Sequence, residues 1–362
     1  MKVSLFTSWN IKCGIADYSR RYCSALEAAG ASVEVVSRNN ASNSADFARL
    51  GEMMNSGDIA HIQHEYGFFG SGFLSWIRNY YRFTRHIRIP SVITLHEIMQ
   101  PTAGGALFLL KNHLIAIVHR TLLSTASLVL VHTREHRRIL ISMGISPDKI
   151  AIFPHPVPMV SLPDKESEYY KRSLGIDIHR KVVTIFGFIF ERKGYETALN
   201  ALLEMDNCTL LIAGGEHPQD RSGYYQKLLS IIDVMGLKDR VHITGYISEN
   251  EYETVMGATD LVLAPFLAAA GSGSLSLAIA YHKPILSSDI DPLLELRENG
   301  LEMQTFKRGN SSELCEKAIE ILADGDLSRR LAESSRKYAQ RYSYNSCAGT
   351  AMKYYAGILG HE

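Results

Sequence analysis

The chain has 362 residues, of which 46% are apolar and 21% charged, with 38 Lys+Arg against 38 Asp+Glu. That length favours two domains, each large enough to bury its own core. The composition excludes disorder and collagen-like repeats, and zero formal net charge demotes a bulk nucleic-acid binder.

Short apolar runs alternate with helix-like segments. VSLF at 3–6 reads as a strand, and residues 17–29 have helical spacing that stops at Gly30. Further strands are expected at 33–37, 59–64, 91–96 and 128–133, with helices at 73–86 and 106–124. A proline-rich stretch at 153–163 reads as an inter-domain linker. The pattern then restarts, with strands at 182–188, 208–215, 241–246, 260–266 and 284–289. Helices fall at 195–205, 224–237 and 274–281, and a long amphipathic region closes the chain. Strand–helix alternation predicts an α/β fold of two doubly wound, Rossmann-like domains, over 1–160 and 161–340. The final segment, 341–362, is expected to be helical and to pack back on the first domain. Ligands bind such sheets beyond the carboxyl ends of the strands, so a cleft between the domains is expected.

The five cysteines (Cys13, Cys23, Cys208, Cys315 and Cys347) lack any C-x-x-C spacing. No disulfide framework or zinc site is readable, and a reducing compartment fits. The opening MKVSLFTSWN has no secretory pattern. No run approaches the ~18 uncharged apolar residues of a spanning helix. The longest apolar stretch, 107–131, is broken by Lys111, His113, His119 and Arg120.

Charge is unevenly divided: residues 1–155 carry a net +6 and the remainder −6. Within 76–149 there are 10 basic residues against 3 acidic ones, and Trp76, Arg78, Tyr80, Tyr81, Arg82, Phe83, Arg85 and Arg88 interleave aromatics with arginines. This suits an anionic membrane surface or a phosphate-bearing lipid. The plainer reading is a solvated helix whose aromatics face the core.

Five places are candidates for chemistry. In WNIKCGIADYS (9–19), Gly14 sits in a strand-to-helix turn where a helix N-terminus favours an anion. There is no G-x-G-x-x-G and no G-K-[ST], so nicotinamide-cofactor and P-loop readings lack their carrier. In HIQHEYGFFGSG (61–72), His64 and Glu65 stand at a strand end. His61 and His64 are poor joint metal ligands, since strand alternation puts them on opposite faces. In TLHEI (94–98), His96 ends an apolar run, placed either as a buried structural group or to hold a substrate hydroxyl. In GFIFERKGYE (187–196), Arg192 and Lys193 lie between strand and helix, where two cations neutralise a diphosphate leaving group. In AAAGSGSLSLAIAYHKP (268–284), Gly271, Ser272, Gly273 and Ser274 open an apolar helix. The amides of residues 272–275, through Leu275, would make an anion cradle. Asp289 and Asp291 form an Asp-x-Asp pair, too few carboxylates to specify a cation.

Together these segments resemble the retaining nucleotide-sugar glycosyltransferases of family 4, which have the two-domain GT-B fold. The resemblance rests on CGIADYS, HIQHEYGFFG and VITLHE in the first half. In the second half it rests on GFIFERKG, LLIAGG, VHITGYISENEY, the 260–289 block and RYSYNSCAGTAMKYY. It implies a donor-diphosphate contact at Gly14, a contact with the transferred sugar at His96 and a leaving-group cation at Lys193. It also implies substrate contacts at Gly187, His64 and Glu65, and backbone around Tyr246 and Ile247 would read the base. The family's arginine five positions before the lysine falls on Phe188, leaving Arg192 as a substitute. Its two glutamates fall on Ala269 and Leu277, so this chain is similar to a subgroup with an S-G-[ST]-L helix opening.

The resemblance implies transfer of a hexose from a nucleotide sugar, UDP-hexose favoured, to a saccharide or lipid-linked saccharide hydroxyl in surface polysaccharide synthesis. It implies no protein nucleophile, no metal and no cofactor. The expected location is cytoplasmic, with peripheral contact at the inner face of the plasma membrane. The competing expectations are a GT-B nucleotide-sugar epimerase or hydrolase, and a non-catalytic nucleotide-sugar-binding partner of an active transferase.

Overall fold

The computed structural model of the chain describes residues 1–11, 13–99, 106–217, 220–268 and 273–360. The chain divides into an N-terminal unit, Met1–Pro156 with Tyr342–Glu362, and a C-terminal unit, Val157–Arg341.

The N-terminal unit runs β1 (Lys2–Thr7), α1 (Gly14–Ala28), β2 (Ser32–Ser37), α2 (Asp46–Met53), β3 (Ile59–His64), α3 (Phe73–Thr84), β4 (Ser91–Leu95), α4 (Ala106–Leu123), β5 (Leu128–Val131), α5 (Arg134–Ser142) and β6 (Ile150–Ile152). Its six strands form one parallel sheet in the order β2-β1-β3-β4-β5-β6. Parallel strands covered on both faces need apolar side chains in both directions. β3 and β4 are accordingly buried along their whole length. On one face Phe6, Ile62, Ile93 and Val129 pack with Phe47, Trp76, Tyr80 and Phe83. On the other, Val3, Leu5, Val92 and Leu130 pack with Tyr18, Tyr22 and Leu26 of α1.

The C-terminal unit runs α6 (Ser167–Ser173), β7 (Lys181–Phe186), α7 (Tyr195–Leu203), β8 (Cys208–Ala213), α8 (Tyr224–Val234), β9 (Val241–Ile243), α9 (Tyr252–Ala258), β10 (Leu261–Ala264), α10 (Gly273–Ala280), β11 (Ile285–Ser288), α11 (Asp291–Glu298), β12 (Gln304–Phe306), α12 (Ser311–Ala323) and α13 (Gly325–Arg341). Its parallel sheet has the order β12-β11-β10-β7-β8-β9. The last helix, α14 (Tyr344–Leu359), belongs to the N-terminal unit. Its Cys347, Ala348, Ala351 and Tyr355 share the core of α1.

Several elements differ from the expected ones. α1 begins at Gly14, three residues before Asp17. Cys13 is extended and its carbonyl accepts the Asp17 N–H at 3.1 Å, so Asp17 lies inside the first turn, where its carboxylate complements the helix dipole. α2, α5, β6, α6, α9, α11 and β12 were not anticipated. They are short or, like α5 (REHRRILIS), strongly charged, and so lack a long apolar period. α5 is set by a local cap, the Thr133 hydroxyl accepting the His136 N–H at 3.1 Å.

Candidate functional site

Strand order reverses between β1 and β3 in one sheet and between β7 and β10 in the other. The carboxyl ends of those strands are where doubly wound sheets bind ligands.

In the C-terminal unit, β7 ends at Phe186 and the chain turns through Gly187 to a 3-10 turn, Glu191–Lys193. Gly194 follows in the left-handed region, φ 70° and ψ 37°, and starts α7. A Cβ on Gly194 would collide with the Pro265 carbonyl oxygen. The Leu267 N–H donates to the Arg192 carbonyl at 2.8 Å, so the loops after β7 and β10 are joined across the reversal point. Lys193 is 7% exposed. Its ammonium donates to the Phe186 carbonyl and lies 5.8 Å from the centre of the Phe266 ring. Burial, helped by the neighbouring Arg192 charge, pushes it down to about 7. Arg192 is exposed and lies 4.2 Å over the Phe190 ring. The two cations, expected to act side by side, therefore take different directions: one inward to the strand end, one outward onto an aromatic face.

Gly273, Ser274 and Leu275 are the first three residues of α10, whose amides have no acceptor within the helix. Leu275 is buried. Gly271 and Ser272, and Ala269 at the first family glutamate position, lie outside the described residues. Leu277, at the second, packs against the cluster of Phe186, Ala213, Ile247 and Tyr281.

Tyr246 is 54% exposed, while Ile247 is buried, its side chain committed to the core. Beside Tyr246 stands a group not identified from sequence. Phe188 meets His217 edge-on at 4.7 Å and Tyr246 at 6.1 Å, and Phe190 lies 5.7 Å from His217. These side chains come from the loops after β7, β8 and β9. The signal was the position of each just past an apolar run.

In the N-terminal unit, Gly14 is exposed at the start of α1, and a Cβ there would meet nothing within 4 Å. His64, a candidate at a strand end, is committed to the core in this structure. It is 3% exposed, stacked near Phe69 and edge-on to Tyr66 and Tyr80, because its strand position points into that core face. Burial pushes it down to about 3. Glu65 accepts the Gly67 N–H at 2.9 Å and caps the turn Tyr66–Phe68. In this structure its carboxylate serves the loop.

His96 is half-buried at the carboxyl end of β4. Its Nε2 is 2.8 Å from Gln63 Oε1 and its Nδ1 is 3.3 Å from His132 Nε2. His132 follows β5, and its Nδ1 donates to the Phe153 carbonyl at 2.9 Å. The Tyr18 ring meets His96, His132 and His155 edge-on at 4.9, 6.0 and 5.4 Å. Burial holds His96 and His155 below the usual imidazole range and His132 at about 3, so the cluster is neutral. Among the described residues no group of three or more His, Cys, Asp or Glu side chains is arranged as metal ligands. His132, His155 and Gln63 were not singled out from the sequence. Yet LVLVHT ends as SVITLH does, with a histidine after an apolar run.

The arginine-rich α3 splits its aromatics. Trp76, Tyr80 and Phe83 are buried, while Leu74, Tyr81, Arg78 and Arg85 are exposed, as are Leu114 and Ile117 of α4. Among the described residues no helix is long and apolar enough to cross a membrane.

Residues 166–338 match the family model of group 1 glycosyl transferases. The match lies within the C-terminal unit and includes Lys193 and α10. The chain is 24% identical over 258 residues to D-inositol 3-phosphate glycosyltransferase of Corynebacterium glutamicum, a match covering 68% of this chain and 61% of that protein. It is 23% identical over 295 residues to 2-deoxystreptamine glucosyltransferase of Streptomyces kanamyceticus, covering 77% and 73%. Among solved structures, Anabaena HepE in complex with UDP and glucose superposes with a TM-score of 0.75 at 17% identity, covering 98% of this chain and 99% of that one. Sucrose-phosphate synthase from Thermosynechococcus elongatus gives 0.77 at 15%, covering all of both. The fold is GT-B.

Proposed function

We propose that this chain is a retaining glycosyltransferase of family 4. It moves a hexose from UDP-hexose to a hydroxyl of a saccharide or lipid-linked saccharide during surface polysaccharide synthesis. The observation that carries the reading is Lys193: a buried ammonium held on the carboxyl end of β7, at the strand reversal of the segment that matches group 1 glycosyl transferases. An amine is kept dry at that cost where an anion will pair with it.

Lys193 would bind the donor diphosphate together with the first amides of α10, and the exposed Arg192 would add charge compensation. The aromatic group of Phe188, His217 and Tyr246 would flank the base. His96 would meet a hydroxyl of the transferred sugar. The bond from sugar C1 to the diphosphate oxygen breaks, and the acceptor oxygen bonds C1 on the same face. The acceptor proton passes to the departing phosphate oxygen. The protein supplies placement and fixed positive polarity, the larger part of such catalysis. No step uses a metal, and added chelator is expected to leave the rate unchanged.

The deciding experiment incubates the chain with UDP-, GDP- and ADP-hexoses, with and without saccharide acceptors. Acceptor-dependent release of UDP is the expected result. Release of nucleoside diphosphate that never depends on acceptor would mark a hydrolase or epimerase instead. Tight nucleotide binding without turnover would mark a non-catalytic partner of another transferase.

Lys193 also sets a pH dependence. Its charged form binds the diphosphate, and in the free protein that form is lost as pH rises through about 7. The value of kcat/KM for donor should therefore fall as pH rises across that region. UDP binding at pH 8 should take up a proton, read by calorimetry in buffers of different ionisation enthalpy. A flat profile with no proton uptake would remove Lys193 from the diphosphate site.

The face of α3 and α4 would hold a lipid-linked acceptor near an anionic bilayer, through Leu74, Tyr81, Leu114 and Ile117 among Arg78 and Arg85. Binding to phosphatidylglycerol vesicles should weaken with added salt and fall in Arg78→Glu/Arg85→Glu. Equal binding to neutral vesicles, or none to either, would point to a soluble acceptor.

A further inference from the structure

The ring nitrogens around His96 have only one neutral arrangement in which every contact is donor to acceptor. The Phe153 carbonyl can only accept, so the proton of His132 is on Nδ1, 2.9 Å away. A neutral imidazole carries one N–H, so His132 Nε2 is a bare acceptor. His96 Nδ1, 3.3 Å from it, must then donate. That leaves His96 Nε2 bare, facing the Gln63 amide at 2.8 Å. With its oxygen on His96, Gln63 would set two acceptors face to face. A half-turn of the amide puts its N–H on His96 and its oxygen toward His61 Nε2, which is 3.4 Å from the other amide atom. His61 Nε2 also lies 2.8 Å from the Thr94 hydroxyl. His61 then donates from Nε2 and accepts at Nδ1 from the Tyr355 hydroxyl of α14, which in turn accepts from Tyr22 at 3.0 Å. The chain of bonds has one direction from Tyr22 to the Phe153 carbonyl.

Electrostatics agree with neutral rings. Among the described residues, the groups facing His96 are His132 after β5, His155 after β6, His61 and His64 of β3, and Tyr18 of α1. None brings a negative charge that would stabilise an imidazolium. An extra proton on His96 would satisfy both neighbours as drawn, but burial and four imidazoles oppose it.

We propose that His132 is a positioning residue that holds His96 as the Nδ1–H tautomer, so that its Nε2 meets substrate only as a hydrogen-bond acceptor. Gln63, itself buried, occupies that acceptor in this structure, and only a hydrogen-bond donor could take its place, whereas a carbonyl or ether oxygen could not. On a sugar that donor is a hydroxyl. This last step rests on the sugar-transfer reading; the tautomer does not.

The test uses the full chain labelled with 15N-histidine, with the ring nitrogens of His96 assigned by a His96→Gln variant. Two-bond proton–nitrogen correlations at neutral pH should show His96 with Nδ1 protonated and Nε2 bare. In His132→Phe, which keeps the packing on Tyr18 but has no acceptor, His96 should move toward the Nε2–H form. The value of kcat should then fall by roughly tenfold or more with KM little changed, because an acceptor has become a donor. His132→Gln, whose amide can accept from His96 and donate to Phe153, should restore the tautomer and most of the rate. A wild-type His96 that is Nε2–H or doubly protonated would overturn the proposal. So would a tautomer that ignores His132→Phe. If the tautomer is as stated but no sugar nucleotide is turned over, the functional reading fails and the positioning role stands.

Discussion

Lys193→Ala is expected to lower kcat/KM by about 100- to 1,000-fold, the scale seen when one preorganised charge partner of a developing anion is removed. The protein should remain folded. Lys193 is buried and donates its ammonium to the Phe186 carbonyl. It stands in the native state at about 7 against 10.5 in the unfolded chain. Between those values the native state binds fewer protons, so stability rises with pH across that window. The cost of the buried ammonium is complete below about pH 7 and fades towards 10.5. Lys193→Met keeps the aliphatic stem and removes that cost. It should therefore melt at or above the wild-type temperature at pH 7, with the difference closing by pH 10. Inactive but stabilised is the signature of a residue retained for chemistry. A variant with near-normal turnover, or one that melts lower at pH 7 than at pH 10 relative to wild type, would separate Lys193 from the leaving group.

Where candidate residues stand is legible in chain order, because a doubly wound sheet places function at strand ends and strand ends are visible as the close of apolar runs. Lys193 and the start of α10 are candidates for that reason. The opposite facing of His61 and His64 is legible too, since it follows from the two-residue period of β3. What alternation could not show is depth. His64 stands at the last position of β3, yet Phe69, Trp76 and Tyr80 cover it from residues 5 to 16 positions later. Direction within a turn was equally hidden. Arg192 and Lys193 are neighbours in sequence, and a 3-10 turn of three residues sends them apart. The partners of His96 come from β3 and from the residue after β5, 33 and 36 positions away, so only the sheet order joins them. Leu277 likewise packs against a core cluster, a commitment that its place in an apolar run does not show.

Gly194→Ala should be strongly damaging in the C-terminal unit, and a matched control isolates the reason. Gly194 and Gly223 both sit in the left-handed region, at φ 70° and 71°, and both precede a helix. An alanine costs about 1–2 kcal/mol in that conformation at either place. At Gly223 the added Cβ meets nothing within 4 Å, so the cost ends there. At Gly194 it runs into the Pro265 carbonyl, which is backbone and cannot swing aside. The loop after β10 must then move, which breaks the Leu267 N–H bond to the Arg192 carbonyl and draws Phe266 away from Lys193. The total should reach about 3 kcal/mol or more. At ~2–4 °C per kcal/mol for a unit of this size, Gly223→Ala should lower Tm by ~2–8 °C and Gly194→Ala by ~6–12 °C. Nucleotide affinity should fall at least about tenfold in Gly194→Ala alone, because one loop shift moves both the cation and the approach to α10. Equal melting shifts in the two variants would mean that the loops after β7 and β10 are not locked together. An unchanged affinity for UDP in Gly194→Ala would mean that the lock has no part in holding the diphosphate.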